Sequence, residues 1–134
     1  MSTQATTAPQ TENHAEQNAR NWLESIVEMQ KDFDDSSDLK QDEAETKIQE
    51  SILSVEVRSG WHAPGVPEKA TEYCILLTTG GPACRLIGEL DRYGQPETAR
   101  LEYQDWGTPW TELGQIGIAE LALLAFAGHF YFGE

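Results

Sequence analysis

The stretch Arg100-Leu101-Glu102-Tyr103-Gln104-Asp105-Trp106-Gly107-Thr108-Pro109-Trp110 constrains the fold more than any other part of the chain. Leu101 and Tyr103 alternate with Arg100, Glu102 and Gln104, the period of a strand with one buried face. Gly107 and Pro109 then take the chain out of the sheet. The exit carries Trp106 and Trp110, large rings that need a packing partner or a ligand. An apolar run follows at once. The stretch is therefore expected to join a sheet, a last helix and any pocket between them.

Three more strands precede it. Val55 and Val57 alternate with Glu56 and Arg58 over 54–59. A near-continuous apolar strand covers 71–79, Thr79-Gly80-Gly81-Pro82 turns, and 83–91 returns. If Gly80-Gly81 is a two-residue turn, Leu77 faces Cys84 and Ile75 faces Leu86. Tyr93-Gly94-Gln95-Pro96 turns again into the fourth strand. Short turns throughout imply an antiparallel meander whose strand order follows chain order.

Ahead of the strands the period is helical. Trp22, Ile26, Met29 and Phe33 make one apolar face, with Leu23 beside them. Asn13 and Glu16 have the spacing of a capping box. The opposite face reads Glu24, Glu28, Asp32, Asp35. A second helix is expected over 39–51, capped by Asp38 with Gln41, its weak apolar stripe being Leu39, Ala44, Ile48 and Ile52 and its exposed face including Asp42 and Glu43. The last helix is expected from Thr111 or Glu112 to Phe130, apolar on most sides and buried on more than one face. The expected architecture is α+β, in the order ααββββα, with the helices over one face of a four-stranded sheet. Residues 1–13 are read as a disordered tail ahead of a single domain over 14–134.

Charge narrows the function classes. The chain carries −14 on 134 residues. Residues 1–50 hold 12 acids and 4 bases. Such a field repels nucleic acid and anionic membrane, and it draws in basic protein surfaces. Cys74 and Cys84 fall on opposite faces of the expected hairpin, so they read as buried free thiols of a cytoplasmic protein. The run 116–132 is short for a membrane span and is interrupted by Gly117, Glu120, Gly128 and His129.

No catalytic signature is present, and the chain reads as non-enzymatic. His62 is the best single candidate for acid–base work, with Asp105 or Glu102 as its partner, yet no motif places a nucleophile beside it. His14, His62 and His129 lack metal-ligand spacing. The acids Asp32, Asp34, Asp35, Asp38 and Asp42 lack the central glycine of a calcium loop. Neither a cofactor nor a metal is implied. Trp61, His62, Tyr103, Asp105, Trp106 and Trp110 are candidates to line an aromatic cleft for a small molecule or peptide. Ile118, Leu121 and Phe126 are candidates for a homodimer contact.

In size, acidity and layout of helical pair plus sheet, the chain resembles the small acidic accessory proteins of phages and other mobile elements. Some of these resemble nucleic acid and inhibit host defence nucleases, among them anti-CRISPR and antirestriction proteins. The acidic helix faces nominate Glu24, Glu28, Asp32, Asp35, Asp42 and Glu43 as the carboxylates expected to occupy a basic surface of a partner, and the resemblance implies only that this surface binds nucleic acid. The resemblance carries no residue-level motif.

Overall fold

The computed structural model describes residues 7–133. Helix α1 spans Thr7–Asp35 and helix α2 Asp38–Glu50. Five strands follow: β1 (Ser54–Arg58), β2 (Glu72–Thr78), β3 (Ala83–Glu89), β4 (Arg100–Gln104) and β5 (Thr111–Glu112). Helix α3 (Ala119–Ala127) comes last. The strands form one antiparallel sheet in chain order. The class is thus α+β with a meander, as the short turns imply, but the sheet has five strands instead of four.

The fifth strand replaces the start of the expected last helix. Thr111 pairs with Tyr103, Glu112 with Glu102, and the Leu113 amide donates to the Leu101 carbonyl at 2.8 Å. Leu113 is thereby buried at 1% exposure. Gln115 (φ 58°) and Gly117 (φ 56°) then adopt left-handed backbone, which a continuous right-handed helix excludes. The helix therefore begins only at Ala119. It also buries one face instead of several: Leu123, Phe126 and Ala127 face the core while Ile118 and Leu121 stay 86% and 70% exposed.

The helix starts differ too. Helix α1 is already formed at Thr7, so Asn13 lies inside it and is not its cap. Residues 7–13 of the expected tail are helical, and 1–6 lie outside the described residues. At α2 the N-cap is Ser37, one residue before Asp38, and Gln41 donates to the Phe33 carbonyl at 3.1 Å, tying the two helices together. Leu39, expected in the apolar stripe, is 88% exposed, while Ile48 is fully buried.

The core lies between the helices and one face of the sheet. Ile75 faces Leu86, which faces Leu101, in the expected register. A bulge between Leu76 and Thr78 sets Thr78 rather than Leu77 opposite Cys84. Ile26 and Met29 of α1 and Ile48 of α2 complete this core together with Ala15 and Ala19, which give α1 a longer buried stripe than its large side chains indicate. Among the described residues no helix is long and apolar enough to cross a membrane.

Cys74 and Cys84 are free thiols on opposite sheet faces, half-buried and fully buried. Burial pushes the Cys84 thiol up to about 12 and raises Cys74 from the ordinary 9.0. Burial raises the Tyr73 hydroxyl as well. These groups keep their protons in the fold and lose them more readily when unfolded. The unfolded chain therefore binds fewer protons above the ordinary thiol value, and stability falls as pH rises from there. The urea midpoint is expected to drop steadily between about pH 8 and about pH 11. At neutral pH iodoacetamide should label Cys74 well before Cys84; equal rates would mean that β3 is not held in the core.

Candidate functional site

The surface with the clearest functional geometry is the outer side of α1. A helix turns about 100° per residue, so Glu24, Glu28 and Asp35 share a crest opposite Ile26 and Phe33. Asp32 lies on the flank towards α2. From Glu24 to Asp35 the crest runs about 16 Å. The buried stripe fixes its orientation, because α1 packs on α2, α3, β3 and β4 at once. All four carboxylates are exposed.

They are not equivalent. Lys31 bonds Asp35 at 2.7 Å, and that hydrogen bond, then the carboxylate's charge, raises the Lys31 pKa. Glu24, Glu28 and Asp32 form no ion pair among the described residues, nor do Asp42 and Glu43 on α2. The flanks differ in polarity. Towards α2, a groove of about 420 Å³ sets Lys40 and Lys47 among Asp32, Asp35 and Glu43. Towards α3, a groove of about 400 Å³ is lined by Val27, Ile118, Leu121, Ala122 and Ala125, with Asp34 and Lys31 at its rim.

The aromatic cleft does not assemble. In an antiparallel meander, Arg58 sits beside Glu72, and Glu72 beside Glu89, at one end of the sheet. Trp61 and His62 extend from that end, Trp61 fully exposed and the His62 Nδ1 3.0 Å from the Gly60 carbonyl. Trp106 extends from the other end, beside Gly81 of the β2–β3 turn. The strands between are five to seven residues long, which separates the ends by about 16 Å or more. Alternation also divides the rest: Tyr103 faces the core, whereas Trp110 lies on the open face with the Arg85 guanidinium 4.2 Å from its ring centre. Asp105 is occupied by its own turn, its carboxylate accepting the Trp106 amide at 2.8 Å and its carbonyl accepting the Thr108 hydroxyl at 3.0 Å. His62 therefore has neither Asp105 nor Glu102 for a partner.

Two polar clusters were not anticipated. On the open sheet face Glu102 takes two bonds from Arg85, at 2.6 and 2.8 Å, and one from Arg100 at 3.2 Å. Strand alternation places these residues on one face, but only the β3–β4 register sets Arg85 opposite Glu102. Under the helices, His129 bonds Glu45 at 2.6 Å and Gln30 at 2.9 Å, with its ring edge-on to Phe33. Both ring nitrogens face side-chain oxygens. The cluster ties together α1, α2 and the segment after α3, and no sequence spacing reveals it. The third expected dimer residue, Phe126, is 0% exposed and belongs to the core, so it offers nothing to a second chain.

Comparison of the chain with protein-family models, curated proteins and solved structures found no match. The functional reading rests on the chemistry of the site.

Proposed function

We propose that this protein is a non-enzymatic, acidic protein-binding inhibitor whose α1 crest occupies a basic surface on its partner, the nucleic-acid groove of a host defence nuclease complex being the best fit. The observation that carries this reading is the trio Glu24, Glu28 and Asp32: exposed, without an ion pair among the described residues, and held on a helix whose other side is locked in the core. Carboxylates one turn apart repel mildly, by a few tenths of a kcal/mol per pair, and a docking cation relieves that cost. Duplex nucleic acid presents a charge about every 1.7 Å of axis, counting both strands. The crest is sparser but of the same sign, and the remainder of the −14 adds long-range attraction. The role places the chain in the cytoplasm, where such nucleases act and free thiols persist.

The test is a pull-down from the native cell with wild type and the double reversal Glu24→Lys/Glu28→Lys, at low salt and at about 0.5 M, where the screening length falls below about 5 Å. Wild type should capture a nucleic-acid-binding protein at low salt and release it at high salt, and the reversal should lose about tenfold or more of the capture. An unchanged set of captured proteins would end this reading.

A further inference from the structure

The crest has two flanks, and their chemistry differs. Towards α2 the groove is polar, with Lys40 and Lys47 lying among Asp32, Asp35 and Glu43. Towards α3 the floor is Val27, Ala122 and Ala125, and Ile118 and Leu121 stand 86% and 70% exposed beside it. Among the described residues nothing covers either side chain, and seating one against a partner removes apolar surface from water. The small alanines leave room for another helix to approach closely. Asp34 lines this groove with Lys31 and Asp35, which pair with each other, and Glu24 runs along the adjoining crest, whereas Glu28 leans to the α2 side beside Asp32 and Lys47.

Building on the acidic-crest reading, we infer that the α1–α3 groove is the anchor of the interface and that it receives an amphipathic basic helix of the partner. Apolar side chains of that helix, three or four positions apart, seat against Ile118, Leu121 and Val27. Lysines or arginines beside them reach Asp34 and, on the adjoining crest, Glu24. Helix-in-groove recognition has this form: apolar anchors supply the contact, and flanking charge supplies orientation and rate. Charge also argues against a second copy in the groove. A two-fold contact there brings together the acidic crests of two chains that each carry −14.

The probe is a fluorescent peptide of about 18 residues, five helical turns, built only of leucine and lysine in amphipathic order. A scrambled peptide of the same composition keeps the charge and loses the apolar face. A third peptide carries glutamate in place of lysine. Anisotropy titrations use wild type, the charge-neutral groove variant Ile118→Ser/Leu121→Ser, and Glu24→Lys/Glu28→Lys, each checked for its fold by circular dichroism. Wild type should bind the amphipathic basic peptide well above the scrambled one and should not bind the glutamate peptide. The groove variant should lose about tenfold or more for the amphipathic peptide and leave the scrambled one unchanged. Equal affinity for the two basic peptides, or a groove variant that binds like wild type, overturns the groove. The crest reading fails separately, if the double reversal leaves the scrambled peptide's binding unchanged. Light scattering covers the remaining occupant: a wild-type dimer that the groove variant splits assigns the groove to a second copy and overturns the inference.

Discussion

Replacing Gly88 with alanine is expected to cost about 3 kcal/mol or more and to lower the melting temperature by about 10 °C. Gly88 lies in β3 opposite Tyr73. A Cβ there would stand 2.0 Å from the Thr98 carbonyl oxygen, 2.7 Å from its carbon and 2.8 Å from the Tyr73 hydroxyl. Two of these are backbone atoms and cannot swing aside. They are also held: the Tyr73 hydroxyl donates to that same carbonyl at 2.7 Å, and the Glu89 amide donates to the Thr98 hydroxyl at 2.9 Å. Making room means moving the chain before β4 off β3 and breaking the bond that satisfies a buried tyrosine. A domain of this size has only about 5–15 kcal/mol in total, so much of it goes. The control is Gly114→Ala, where an added carbon meets nothing within 4 Å. It should melt close to wild type. If the two variants melted alike, the close approach over Gly88 would not exist in solution.

Phe126→Ala is expected to be of similar size, about 3–5 kcal/mol, as lost transfer energy and a cavity add together. Phe126 is 0% exposed, its ring 5.5 Å from that of Phe130, inside the cluster that joins α3 to α1 and the sheet. Leu121, on the same short helix, is 70% exposed, and Leu121→Ala should fall within about 0.5 kcal/mol of wild type. Urea titrations decide, with the slope m unchanged while the midpoint moves. The pair also serves the functional question. A leucine that stability does not require, placed beside an apolar groove, is available for a partner. If Leu121→Ala proved as costly as Phe126→Ala, Leu121 would be core, and the groove would lose its main anchor.

Much of the frame was legible because periodicity reports which face of an element meets the core. Ile26, Met29 and Phe33 fall on the inner side of α1, and Glu24, Glu28, Asp32 and Asp35 on the outer. Gly80-Gly81 lies in the β2–β3 turn and Ile75 pairs with Leu86 as expected, although the bulge between Leu76 and Thr78 changes the register next to the turn. The 111–118 segment misled because its apolar residues suit a strand end, a loop and a helix equally. Hydrogen bonds from β4 and two left-handed residues decided among them. The aromatic cleft failed for a different reason. Nearness in type and in loop position does not specify which end of a meander a loop occupies, or which sheet face a ring takes.

The sequence by itself determined the class of fold, the strand order and the acidic crest, since each follows from local period, turn chemistry or composition. Only the tertiary structure decided which carboxylates remain free, that Phe126 is core while Ile118 and Leu121 are surface, and that Trp61 and Trp106 stand at opposite ends of the sheet. Those outcomes depend on which elements pack side by side, a property of contacts between residues far apart in the chain, and no local pattern encodes it.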